Sequence, residues 1–220
     1  MNRFFIKEIV KFTKKLLPVR FKTFLKKFRK FNAINNLDVK LLNHLNFKNG
    51  FFIECGANDG VNQSNTWYFE KHLNWKGLLI EPHKNLFKEL VKNRSKKNIF
   101  INSCLVSKNY KKEHIFLSDK NLESRVMNNF DQSNARVDTT TLEQIFINKK
   151  ISQKIDLLSL DVEGYEFEVL KGIDLNKFNI EHILVETNNL VLMKDFLEKF
   201  NYKYIESFSF HDFFFKKNKE

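Results

Sequence analysis

Long apolar runs are missing from this chain of 220 residues. No stretch reaches the length of a bilayer span or a signal-peptide core, so the expectation is a cytoplasmic protein. Cysteine is scarce as well. Cys55 and Cys104 are the only two, and neither has a Cys-x-x-Cys or Cys/His spacing around it, which removes the usual zinc and dithiol motifs and leaves two buried thiols in a reducing compartment. The Gly-x-Gly-x-x-Gly that cradles a pyrophosphate is absent, as is an Asn-Pro-Pro-Tyr type of base-handling motif. Acidic residues are short only at the N-terminus: residues 1–40 hold twelve Lys/Arg against two Asp/Glu, whereas the rest of the chain holds 26 against 24. The formal charge of +12 thus belongs to an arm, and the nearly neutral body lacks the footprint of a nucleic-acid binder.

The chain divides into a basic amphipathic helical arm over 1–48 and an α/β domain over 49–220. In the arm, Phe5, Ile6, Ile9, Phe12 and Leu16 recur at helical spacing over 2–17, Pro18 ends that helix, and Phe21, Phe24, Leu25 and Phe28 form a second stripe over 19–31. Lysines and arginines fill the opposite faces. Such a surface packs on the body or a second subunit, lies on an anionic membrane through residues 2–31, or meets a polyanion. A further short helix is expected over 38–48.

In the body, short apolar segments alternate with helical patterns, which argues for a parallel sheet with helices on both faces. Strands are expected at 51–55, 77–81, 99–105, 155–160 and 182–185, followed by an antiparallel finish over 202–208 and 210–216. The intervening helices fall at 65–73, capped by Ser64, and at 83–94, 139–149 and 189–200. Residues 107–135 are polar and read as an insertion over the site, with one strand at 114–117 and Arg125 and Arg136 as candidate anchors for an acidic substrate.

Ligands of open α/β sheets bind beyond the carboxyl ends of the strands. The first strand ends in Glu54-Cys-Gly56-Ala-Asn58-Asp59-Gly60, where the glycines let the backbone turn sharply and approach a ligand closely. Glu54 would repel a pyrophosphate and suits an ammonium group. Glu81 ends the second strand 21 residues after Gly60, the spacing at which an acid accepts ribose hydroxyls. Ser103 or Cys104 ends the third, Asp161 and Glu163 follow the fourth, and Glu186 follows the fifth.

Together with Ser64-Asn65-Thr66, Trp75-Lys-Gly77-Leu-Leu-Ile80-Glu81-Pro82, Thr141-Leu-Glu143 and Leu160-Asp161-Val-Glu163-Gly164-Tyr165-Glu166, these blocks resemble the FkbM family over about residues 50–190. The resemblance implies a class I methyltransferase with a Rossmann-like fold, a mostly parallel sheet whose last strand is antiparallel, and S-adenosyl-L-methionine as cofactor. It implies that Gly56, Asn58 and Gly60 border the methionine part, with Glu54 near its ammonium and Asn65 and Thr66 close by. Glu81 would hold the ribose, and Ser103 or Cys104 would border the adenine. Asp161 and Glu163 would lie near the transferring methyl, as base for an acceptor hydroxyl or, with Glu186, as ligands of a divalent metal. The expected acceptor is a hydroxyl of a glycan or other surface-polymer or secondary-metabolite precursor, with no nucleic acid involved. A nicotinamide-dependent oxidoreductase and a non-catalytic, membrane-attached adaptor that retains the fold are the alternatives.

Overall fold

A computed structural model describes residues 30–117, 126–127 and 135–218. The helices expected over 2–17 and most of 19–31, together with Arg125, lie outside the described residues.

The central strand β1 (Phe51–Cys55) is buried along its whole length because its side chains feed two different cores. Phe51, Ile53 and Cys55 point to one face, with Leu78, Ile80, Leu158, Leu160, Ile183 and Val185. Phe52 points to the other, with Leu79, Leu157, Leu184 and Phe214. This two-residue alternation, apolar on both sides, marks a sheet covered on both faces. Around β1 lie β2 (Lys76–Ile80), β3 (Ile99–Ile101), β8 (Leu157–Leu160), β9 (His182–Glu186), β10 (Tyr202–Ser207) and β11 (Asp212–Lys217) in the order β3-β2-β1-β8-β9-β11-β10. All neighbours pair in parallel except β11, which runs antiparallel to both β9 and β10.

Helices α1 (Leu37–Leu45), α2 (Trp67–Leu73) and α3 (Lys84–Asn93) cover the Phe52 face. Helices α4 (Leu142–Asn148), α5 (Glu166–Leu170) and α6 (Leu190–Glu198) cover the other. Leu37, Leu41 and Leu45 of α1 are buried against the sheet, so this helix is part of the domain, and a boundary drawn at 48/49 falls behind an element that the core requires.

The third strand differs from its expected 99–105 span. It breaks after Ile101, and β4 (Cys104–Leu105) leaves the large sheet to pair with Thr139 and Thr140 of β7 (Ala135–Thr140). β7 also pairs with β5 (His114–Leu117), and β5 with β6 (Val126–Met127), giving a second, four-stranded sheet. Because β7 claims Thr139 and Thr140, the helix expected over 139–149 starts only at Leu142. Thr141 caps it through a capping box with Gln144.

If α1 belongs to the core, Leu41→Ala should remove about 2–5 kcal/mol of stability while unfolding stays a single transition. Urea denaturation followed by far-ultraviolet circular dichroism checks this.

Candidate active site

At the end of β1 the chain turns through Gly56, whose φ of 81° leaves no room for a side chain: an added Cβ would lie 1.8 Å from the Asp161 carbonyl oxygen. The glycine loop therefore rests directly on the loop after β8. Asp59 closes the turn, its Oδ1 accepting from the N–H groups of Val61 (2.9 Å) and Asn62 (2.7 Å).

Glu54 shares the parity of Phe52, and its carboxylate points behind the loop. It accepts from Ser64 Oγ (2.9 Å), the Asn65 N–H (2.8 Å), Thr66 Oγ1 (2.6 Å) and Arg94 Nη1 (3.2 Å). Arg94, just past the end of α3, reaches Glu70 on α2 through Nε at 2.7 Å and donates to Ser64 Oγ, Thr66 Oγ1 and the Gly60 carbonyl. Burial is the largest influence on Glu70 and would raise its pKa, but the Arg94 charge and hydrogen bond, the Asn98 hydrogen bond and the Lys71 charge together hold the carboxyl below its ordinary value. Ser64 Oγ also accepts from the Trp67 N–H at 3.0 Å and so supports the start of α2, although the N-cap residue itself is Thr66 and not the expected Ser64.

Glu81 faces the opposite way, into the cleft. Its two oxygens each accept one backbone N–H at 2.8 Å, from Asn58 and from His83. Burial raises its pKa despite those donors, and each oxygen keeps acceptor capacity toward the cavity. Nearby, burial and the Glu81 charge push the Cys104 thiol up to about 12, so it stays neutral.

Beyond β8, Glu163 sits at φ 55° and Gly164 at φ 94°, a turn that Glu166 secures by accepting from the N–H groups of Val162 (3.2 Å) and Gly164 (2.9 Å). Asp161 is held well above the ordinary carboxyl range, first by burial and then by its hydrogen bond to Glu186 and the charges of Glu186, Glu163 and Asp212. His211 Nε2 lies 3.6 Å from Glu186 and 3.4 Å from Asp212.

These elements surround one cleft at the carboxyl ends of β1, β2 and β8, with about 890 Å³ of space including its open mouth. Gly56, Asn58, Glu81, Ser103, Cys104, Asp161 and Glu163 line it together, joined by Asn62, Gln63, Leu86 and Tyr165. Leu105 and Leu117 of the small sheet complete the wall, so this part of the insertion does stand over the site. Glu54, Gly60, Asn65 and Thr66 are not in the lining. The Glu54 carboxylate, expected near a cofactor ammonium, is instead engaged by Arg94 and the start of α2. Gly60 packs against Leu90 and Arg94, and Asn65 donates to Ser159 Oγ at 3.0 Å. Arg136 is exposed on β7, away from the lining. Arg94, His211 and Asp212 escaped the sequence reading; two acids at buried positions, Glu54 and Glu70, were the available hint that a cation must lie between them. Among the described residues, no three His, Cys, Asp or Glu side chains converge to hold a metal ion.

The strand order, the glycine turn after β1 and the acid after β2 define a class I methyltransferase type of α/β domain. The family model for the methyltransferase FkbM domain matches residues 54–217, and the chain belongs to that family. The structure is similar to the methyltransferase FkbM from Methylobacillus flagellatus KT, with a TM-score of 0.52 at 13% identity. The match covers 79% of this chain and 45% of the other, so the chain spans under half of that protein's length. The METTL16 methyltransferase domain aligns at a TM-score of 0.48 and 13% identity, over 83% of this chain and 65% of its own. No curated protein matches the chain in sequence.

Removing Arg94 leaves Glu54 buried without its cation and Glu70 with Lys71 alone, so Arg94→Ala should cost about 3–5 kcal/mol near neutral pH. The deficit should shrink toward acid as Glu70 takes up a proton, which denaturation at several pH values would read. Asp161 behaves oppositely. Its raised pKa means the native state holds a proton that the unfolded chain releases, so its contribution to stability falls as pH rises above the unfolded value. Asp161→Asn should therefore melt above the wild type at pH 7.5, by about 2–4 °C, the shift expected for roughly 1 kcal/mol. That gain should vanish at acidic pH, where wild-type Asp161 is protonated in both states.

Proposed function

We propose that the chain is an S-adenosyl-L-methionine-dependent O-methyltransferase acting on a hydroxyl of a glycan or other surface-polymer or secondary-metabolite precursor. One observation carries this reading: among the described residues, those lining the cleft include the acids Glu81, Asp161 and Glu163 and no Lys, Arg or His. Such a wall attracts a sulfonium and an ammonium group and repels the pyrophosphate of a nicotinamide dinucleotide. The close approach of backbone at Gly56 suits a ligand lying across the loop, and Glu81 has free acceptor sites for vicinal hydroxyls.

The bound cofactor would supply an electrophilic methyl group. The chain's part is then to hold an acceptor hydroxyl in line and to take its proton. Asp161 is the group for the second task. Its carboxyl, crowded by Glu186, Glu163 and Asp212, has the raised proton affinity that a base needs near neutral pH. Glu163, on the strained turn beside it, faces the same space and serves acceptor binding.

Calorimetry with S-adenosylmethionine and S-adenosylhomocysteine, with and without magnesium, tests the cofactor. Wild type should bind in the micromolar range, and Glu81→Ala, which gives up hydrogen bonds to a charged group of about 1.5–3 kcal/mol, should bind roughly ten- to a hundredfold more weakly. Binding of a nicotinamide dinucleotide instead would establish the oxidoreductase, and binding of neither would leave the adaptor.

A further inference from the structure

Three acids stand in a row across neighbouring strand ends. Leu160 of β8 pairs with Val185 of β9, so Asp161 and Glu186 come next, side by side, and Asp212 of β11 lies opposite Glu186 in the antiparallel register. Asp161 lines the cleft, whereas Glu186 and Asp212 do not. Asp161 is hydrogen-bonded to Glu186, and two carboxyl groups make such a bond only when one of them carries a proton.

The row is braced from outside the cleft. Asp212 is buried and accepts from Ser209 Oγ at 2.5 Å, with Asn35 as a second hydrogen-bond partner. His211 Nε2 lies 3.4 Å from Asp212 and 3.6 Å from Glu186, and the His211 carbonyl accepts from the Thr187 N–H at 2.8 Å, which keeps the imidazole beside the end of β9. Among the described residues, the charges acting on Asp161 are Glu186, Glu163 and Asp212, while Glu166 of α5 and His211 face Glu186. The Glu186 side chain is 31% exposed, so it keeps access to water when a ligand fills the cleft over Asp161.

A base for an acceptor hydroxyl needs both a high proton affinity and an empty oxygen. A lone carboxyl whose affinity is raised by burial meets the first need by staying protonated and so fails the second. Two carboxyls holding one proton meet both, because the proton can reside on one while the other faces the cleft. We propose that Asp161 and Glu186 hold one proton between them, and that Glu186 is the positioning residue through which the acceptor's proton leaves the cleft. The use of the pair rests on the methyl-transfer reading above. When the acceptor oxygen bonds to the methyl carbon, and that carbon's bond to sulfur breaks with both electrons going to sulfur, the hydroxyl proton passes to Asp161. The proton already on Glu186 then leaves to water beside His211, and the pair returns to one proton.

The test follows the carboxyl carbons of Asp161 and Glu186 by nuclear magnetic resonance in the full chain, labelled with carbon-13 at its Asp and Glu carboxyls and titrated with and without magnesium. Asp161→Asn and Glu186→Gln identify the two signals. In wild type both carbons should move together, with the Asp161 step above the ordinary carboxyl range. In Glu186→Gln the neighbouring carboxyl is gone and the amide donates to Asp161, so Asp161 should titrate alone and at lower pH. An Asp161 carbon that moves independently of Glu186 in wild type, or keeps its wild-type midpoint in Glu186→Gln, would overturn the proposal. If circular dichroism shows Glu186→Gln unfolded, Asp161→Asn serves in its place, and an unaltered Glu186 titration there would overturn the proposal equally. So would loss of the shared step in millimolar magnesium, which would make the two carboxylates metal ligands. Calorimetry on the same samples separates the two readings: a shared step without S-adenosylmethionine binding would count against methyl transfer and leave the shared proton standing, and binding without a shared step would do the reverse.

Discussion

The buried Arg94 guanidinium is the constraint on which the rest of the site depends. Its side chain is 0% exposed, and it sits between Glu54 at the tip of β1 and Glu70 on α2 while also holding the Gly60 carbonyl. Three elements that are distant in sequence thus meet at one cation. Withdrawing three charges from water is costly, and a buried ion cluster of this kind contributes less to net stability than to fixing one arrangement. What it fixes is the loop from Gly56 to Thr66. The hydroxyls of Ser64 and Thr66 complete the shell, each donating to Glu54 and accepting from Arg94. A cluster this fully satisfied has little freedom to rearrange.

The opposite wall is built on another logic. Asp161 is pressed onto the glycine loop through its backbone, whose N–H donates to the Cys55 carbonyl at 3.2 Å and whose carbonyl fills the space a Gly56 side chain would need. Among the described residues, the groups acting on its carboxyl are the acids Glu186, Glu163 and Asp212. Glu166 stabilises the strained turn at Glu163 and Gly164 by accepting two backbone N–H groups. The backbone of this wall is thus set by main-chain contacts and the Glu166 carboxylate, and burial together with the neighbouring acids raises the proton affinity of Asp161.

Much of the fold was legible because the large sheet is covered on both faces. Short runs such as 51–55 and 155–160 are apolar at nearly every position, and period-based reading recognises them without knowing their partners. The small sheet was legible only at 114–117. β4 is two residues long, and its pairing with Thr139 and Thr140 spans some 35 intervening residues of chain, so no local pattern announces it. Helix α1 was visible as a helix, but its membership in the domain depends on Leu41 meeting the sheet, a contact that charge counting over the first forty residues obscures. At the site, Gly56, Asn58, Glu81, Ser103, Cys104, Asp161 and Glu163 were read from strand ends and do share a cleft. The partners of Glu54 were partly legible: counting in steps of two from Phe52 sends its side chain to the Phe52 face, where Arg94 lies.

That parity has an electrostatic consequence. Glu54 lies opposite Ser159 on β8, and Asp161 follows two residues later; Glu54 is paired with Arg94, whereas Asp161 hydrogen-bonds another acid, Glu186. By pairing Glu54 and Glu70 with Arg94 behind the loop, the fold neutralises the guanidinium outside the cleft and keeps it from lowering the proton affinity of Asp161. A swap of sides would bring a cation against the cavity wall and cancel the field of Glu81, Asp161 and Glu163. A cavity that must attract a cation and hold a basic carboxylate can coexist with a strongly basic chain only if the two charges are kept apart in this way.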